Sequence, residues 1–209
     1  MTIGRVHELR GEAELTLHHA EASMLLAREH GLKEVSLWAL TNHAAALSQL
    51  GRAEEGLGEI RSYLKTALQI GSRINRTEGV ARLAQCLIAL GRYDEVFEAA
   101  IECIQSDVAN GERFYEAELY RMSAECCFRR AEYEDAKARF RRALEIAQNM
   151  RARAWELRAA IGLAHVLRKE GHEPEAHQLL APIYAWYTEG FETRDLRQAK
   201  ALLNQLASE

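Results

Sequence analysis

GRAEEGLGEI at 51–60, GRYDEVFEAA at 91–100, AEYEDAKARF at 131–140 and GHEPEAHQLL at 171–180 stand forty residues apart, and their reading decides the fold. Gly51, Gly91 and Gly171 open three of them, Gly11 lies on the same step, and Ala131 fills the remaining slot. Midway between, Gly31, Gly71 and Gly111 form a second series, continued by Arg151 and by Phe191 beside Gly190. A turn-permitting residue every twenty positions punctuates helical hairpins, and a fixed period in this range marks a stacked-repeat chain. The expected fold is all-α, a right-handed α-solenoid of helical hairpins with about ten to eleven helices.

The intervals repeat as well. Ala44, Ala84, Ala124 and Ala164 share the forty-residue step. Each is preceded four positions earlier by Leu40, Val80, Tyr120 or Ala160, and followed three later by Leu47, Leu87, Cys127 or Leu167. Spacing of this kind is one helical stripe, with a small residue where the partner helix crosses. Gly56, Val96, Ala136 and Ala176, then Ile60, Ala100, Phe140 and Leu180, repeat the scheme on the second helix of each hairpin.

First helices are expected near 33–50, 74–90, 113–130 and 153–170, and second helices near 12–30, 52–70, 92–109, 132–149 and 173–188. Pro174 suits a first helical turn, whereas Pro182 removes a backbone bond and should bend its helix. Residues 192–207 read as a capping helix, with Thr193 as N-cap, Asp195 in the first turn and a stripe of Leu196, Ala199, Leu203 and Leu206. The phase makes 1–209 one solenoid domain: a partial first repeat at 1–31, full repeats at about 32–71, 72–111, 112–151 and 152–190, then the cap. At the N-terminal end the array starts in mid-repeat without a polar shield, which suggests a missing upstream region or a partner covering that end, with self-association through it a further reading.

Composition narrows the function classes. The chain has 48% apolar and 28% charged residues, and 27 basic residues are interleaved with 31 acidic ones for a net charge of −4. Nucleic-acid binding needs a clustered positive field, and the densest basic stretch, Arg129–Arg142, also carries Glu132, Glu134 and Asp135. No apolar run reaches membrane-spanning length and residues 1–20 hold no signal-peptide core, so a cytoplasmic protein that binds neither nucleic acid nor membrane is expected. The four cysteines read as free thiols, mostly small core residues.

The small-large register resembles the tetratricopeptide repeat, whose small, small, aromatic, small series is matched by Ala124, Ala136, Phe140 and Ala143. The forty-residue step departs from that family's unit of about 34 residues. Two stretches carry a narrower resemblance: GERFYEAELYR (111–121) and AWELRAAIGLAHVLRKEGHEPEAHQLLAPIYAWYTEGFETRDLRQAKALLNQLA (154–207). These are similar to the C-terminal helical-repeat region of bacterial multidomain signalling ATPases, which join an adenylate/guanylate cyclase or winged-helix domain to a P-loop ATPase. The match is strong over 111–209 and weaker, though in phase, over 12–110; Tyr187 stands where Phe is more usual. It implies a regulatory or interaction region. The chain contains no GxxxxGK[ST] loop and no paired metal-binding aspartates.

Chemistry finds little support. His172 and His177 are five apart, and His18 and His19 point to different sides of a helix, so no metal or other cofactor is expected. Cys86, Cys126 and Cys127 lie deep in expected helices, far from the electropositive settings that activate a thiol, so no enzyme is expected. Trp38, Gln85, Glu118, Arg121, Glu125, Arg158, His165 and Arg168 fall on the first helices, which line the concave side of such a solenoid. They read either as a groove clamping a protein or peptide partner or as a solvated face with intrahelical pairs. Tyr184, Trp186, Tyr187 and Phe191 read either as packing between the bent helix and the cap or as an aromatic anchor for a partner; Phe114, Tyr115 and Trp155 invite the same two readings. The expected function is a non-catalytic interaction or scaffold module of a bacterial signal-transduction protein, binding a partner segment or its own upstream ATPase or cyclase domain. The alternative is a small-molecule effector sensor.

Overall fold

The computed structural model describes residues 3–69, 76–108 and 111–207. They form α1 (Ile3–Arg10), α2 (Ala13–Glu29), α3 (Lys33–Gln49), α4 (Ala53–Gln69), α5 (Arg76–Ala89), α6 (Tyr93–Cys103), α7 (Glu116–Arg129), α8 (Tyr133–Asn149), α9 (Arg153–Lys169), α10 (Glu173–Ala185) and α11 (Arg194–Leu206). A π-helical segment, Ile104–Val108, follows α6. The chain divides into two compact units, Met1–Tyr115 and Glu116–Glu209. Within each, helices consecutive in sequence pack as hairpins.

Gly11, Gly31, Gly51, Gly91 and Gly171 of the glycine series are helix C-terminal caps. Gly11, Gly31, Gly51, Gly91, Gly111 and Gly171 all have positive φ, and so do Ala131 (61°) and Arg151 (54°) in the two slots where glycine is missing. At Gly51 the next amide, Arg52 N–H, reaches back to the Leu47 carbonyl at 2.8 Å, and at Ala131 the Glu132 N–H reaches Cys127 at 2.9 Å. This six-to-one bond satisfies a carbonyl at the helix end and requires a left-handed residue at the turn. In the final slot it is Gly190, not Phe191, that has positive φ. Gly71 lies outside the described residues.

The turns are short, two residues between α1 and α2 and three in the other tight hairpins, and at their ends Glu12, Leu32, Arg92, Glu132, Ala152 and His172 make no capping side-chain bond. Acidic residues in the first turns, such as Glu54, Glu95, Glu134 and Glu175, instead complement the helix dipole. Thr193 occupies the N-cap position of α11 as expected, but its hydroxyl donates to the Gly190 carbonyl at 2.7 Å rather than capping an amide.

The four register alanines are fully buried. A Cβ added to Gly56 would stand 2.7 Å from the Ala44 carbonyl oxygen, so α3 and α4 cross backbone to backbone. Elsewhere an aromatic ring fills the crossing: Phe140 of α8 covers Gly162 of α9, and Tyr63 of α4 covers Gly79 of α5.

Three boundaries differ from expectation. The helix expected at 92–109 leaves α geometry after Cys103 and widens into the π segment. The helix expected from 113 begins at Glu116, leaving Phe114 and Tyr115 in a turn, Phe114 exposed and Tyr115 buried. α10 ends at Ala185, three residues beyond Pro182, rather than at 188.

Candidate functional site

Each unit gathers charge on its first helices. In the first unit, Trp38 of α3 is 45% exposed, and Gln85 of α5 is half-buried, its carbonyl accepting from Ser48 Oγ at 3.4 Å. Trp38 rims a narrow cleft with Gly4, His19, Ala20, Val35, Ala39 and Asn42.

Beside these lies a buried ionic cluster of residues outside the expected set. Arg82 of α5 forks onto Glu8 of α1, Nη1 to Oε1 at 2.7 Å and Nη2 to Oε2 at 2.8 Å, and Nη2 also donates to the Tyr115 hydroxyl at 2.9 Å. Arg5 donates to Glu78 Oε2 at 2.7 Å and to Tyr115 Oη at 3.0 Å. Glu8, Glu78, Arg82 and Tyr115 are all buried. Burial alone would lower the Arg82 pKa, but Glu8, Tyr115 and Glu78 outweigh it and hold the guanidinium above its ordinary value. Burial pushes the Tyr115 phenol well up, so it stays protonated. The sequence sign of this cluster is a charge in a core slot: Arg82 stands in register with Asn42, Met122 and Gly162.

In the second unit, the expected residues Glu118, Arg121, Glu125, Arg158, His165 and Arg168 occupy α7 and α9. Arg121 donates to Glu118 at 3.0 Å and Glu125 at 3.2 Å, and Arg129 reaches Glu125 at 2.8 Å. Glu118 is buried and also faces Arg158 Nη1 at 3.7 Å. Arg158 Nε donates to Asp195 of α11 at 2.5 Å, and Arg168 donates to Gln205 of the same helix. For Arg121, burial opposes the charge, but Glu118 and Glu125 prevail and raise its pKa. Burial would raise Glu125, yet Arg121 and Arg129 hold it below the usual carboxylate value. Burial, then Arg168, pushes His165 down, so it is a neutral ring at physiological pH.

The aromatic group is divided between both readings. Trp186 and Phe191 are exposed, while Tyr184 and Tyr187 are half-buried. Arg153 lies 5.1 Å over the Trp186 ring, and the Tyr187 hydroxyl donates to the Arg153 carbonyl at 2.7 Å. Trp155 is core.

Cys86, Cys103, Cys126 and Cys127 are free and buried. Burial raises Cys86 to about 11 and Cys126 to about 12, and pushes Cys127 up as well, so these three thiols stay protonated near neutral pH. Among the described residues, no group of three His, Cys, Asp or Glu could hold a metal ion, and no helix is long and apolar enough to cross a membrane.

The fold and its repeated crossings define an all-α, tetratricopeptide-like helical-repeat architecture. The solved structures that share it include two with TPR-like repeats. One is a crystal structure of a variant of a Podosopora anserina protein described as a kinesin light chain with nearly identical TPR-like repeats; it is 17% identical, with TM-score 0.58, over 88% of this chain and 90% of that one. The other, a further crystal structure under the same description, is 15% identical, with TM-score 0.56, over 99% and 94%. Neither a protein-family model nor a curated protein matches the chain.

Proposed function

We propose that this chain is a non-catalytic protein-interaction module, working as a regulatory or scaffold region of a bacterial signalling protein. The observation that carries the reading is the line of alternating charge on α7 and α9. Arg168 holds its guanidinium at the surface of α9 beside Gln205, and Arg121 of α7, largely buried with its side chain 18% exposed, is braced between Glu118 and Glu125. Preset forks of this kind suit carboxylates of an extended partner segment, and helical-repeat proteins in general present such faces to partners. Exposed Trp186 and Phe191 supply an apolar anchor in the same unit, and Trp38 offers one in the other. The resemblance of 111–121 and 154–207 to signalling ATPases supports an upstream ATPase or cyclase domain as the partner. One forty-residue register running through both units supports treating them as a single array.

The test is binding to an array of short extended peptides, acidic and neutral, by the wild type and by Arg121→Ala combined with Arg168→Ala. Binding should fall to background while helix content holds and the melting temperature drops only modestly, because Arg121 also pairs with buried Glu118 and Arg158 remains to face it. Unchanged binding would remove the reading. Arg158 is left intact because it ties α11 to α9.

A further inference from the structure

We propose that Arg82 and Tyr115 form a carboxylate-binding site in the first unit, which α1 occupies from within through Glu8, and that an acidic segment of a partner protein is the ligand that replaces it. This extends the interaction reading to a second site, with its own readout.

The geometry is that of ligand recognition. A guanidinium fork closes on both oxygens of one carboxylate at 2.7 and 2.8 Å, with a phenol hydroxyl alongside at 2.9 Å from Nη2. Bidentate pairing is the strongest and most specific way an arginine holds a carboxylate. The site is enclosed, since the side chains of Arg82 and Glu8 are 4% and 5% exposed. One face is incomplete: Arg82 Nε is buried without a hydrogen-bond partner.

Apart from these ion pairs the occupant is held mostly by polar and ring contacts, His7 stacking on His19 at 5.2 Å and pairing with Glu12, rather than by apolar burial. Gly4 and Glu8 are the only buried residues of α1, while Ile3 and Val6 point outward and Leu9 is half-buried. α11 contrasts with it, anchored by buried Leu196, Ala199, Leu202 and Leu206. With little apolar burial, α1 depends on polar contacts, of which those of Arg5 and Glu8 are the ones that reach α5 and Tyr115. A buried ion pair gains little net free energy, because desolvation offsets most of the attraction. Exchange of one carboxylate for another therefore costs far less than extracting Glu8 and leaving Arg82 unpaired. Gly4 of α1 also walls the Trp38 cleft, where Asn42 Oδ1 is buried without a partner. Release of α1 would open that acceptor, forty residues before Arg82, to a backbone N–H of the same incoming segment.

The experiment uses the full chain, a fluorescein-labelled peptide of three glutamates flanked by glycine and serine, and a control peptide with glutamine in their place. In Glu8→Gln the α1 amides should exchange on the order of tenfold faster, with α9–α11 unchanged, and affinity for the acidic peptide should rise on the order of tenfold, because the internal competitor is gone. Adding Tyr115→Phe or Arg82→Gln should cancel that rise, and the glutamine peptide should show none. If Glu8→Gln does not fold, wild-type protein saturated with the acidic peptide should show the same acceleration at α1. Unchanged α1 exchange in both settings, or equal binding of both peptides, would overturn the proposal. Arg121→Ala with Arg168→Ala leaves this readout intact, so the two sites fail independently.

Discussion

The two units solve one problem in two ways. Glu78 and Glu118 occupy equivalent slots, forty residues apart, and both are buried at the start of a first helix. In the first unit Glu78 is met by Arg5 from α1 and Arg82 from its own helix, with Arg82 sealed from water. In the second, Glu118 is met by Arg121 and Arg158, whose side chains remain 18% and 13% exposed. A buried carboxylate demands a cation in either case. The difference lies in where that cation's remaining donors point: inward to Glu8 and Tyr115, or outward to Glu125, Asp195 and the surface. Only the outward arrangement leaves charged groups at the surface without rearrangement.

The largest expected effect separates these cases directly. Arg82→Ala strands Glu8 and Glu78 in the interior and should cost roughly 3–5 kcal/mol, against about 1–2 kcal/mol for the better-hydrated Arg158→Ala. Urea unfolding followed by circular dichroism reads both, and equal losses would erase the distinction between the units.

Next come the ring-over-glycine crossings, one in each unit. Gly162→Ala drives a methyl into Phe140, where even Cε1 would be 2.2 Å away, and Gly79→Ala drives one into Tyr63 at 2.7 Å. Both should destabilise by about 1–3 kcal/mol, Gly162→Ala more. A neutral Gly162→Ala would mean that the Phe140 ring swings aside freely.

A gain is expected where the second unit departs from the glycine series. Ala131→Gly and Arg151→Gly relieve left-handed strain and should each add about 0.5–1 kcal/mol, after the unfolded-state entropy of glycine is counted. The reverse change, Gly51→Ala in the first unit, should lose a similar amount. Thermal melts of the three variants check the pair of signs.

The smallest effect is in pH. The hydrogen bond from His43 to Glu59, at 2.7 Å, raises the His43 pKa against the opposing pull of burial. A raised folded pKa means stability that is complete below the unfolded value near 6.5 and lost as pH climbs through the folded value. His165 in the second unit is shifted the other way, so its contribution is present above that value and falls away as pH drops. His43→Gln should remove a decline of a few tenths of a kcal/mol between pH 6 and 8. His165→Gln should leave that decline in place.

Much of the architecture is legible in residue order. Helix boundaries at 33, 53, 133, 153 and 173 follow from the glycine step, since a left-handed cap is a local demand that one residue type meets cheaply. Buried alanines at 44, 84, 124 and 164 follow from periodicity. The second-unit candidates do fall together on α7 and α9, but the pairing of Arg158 with Asp195 and Arg168 with Gln205 is not visible in either helix alone. It also means that Arg158 carries structure as well as surface charge. The break of the expected 92–109 helix into a π segment has no marker in its residues.

By itself, then, the sequence determined the helices, the turns between them and the small residues at their crossings, because each depends on contacts within a turn or on a period. The tertiary structure decided which charges are buried and whom they meet. Glu8 and Arg82 lie 74 positions apart, and Arg158 and Asp195 lie 37 apart. Whether such pairs meet depends on how each helix is rotated about its axis and how closely its neighbours pack. A polar residue looks the same in the chain whether that rotation turns it to water or folds it against an opposite charge.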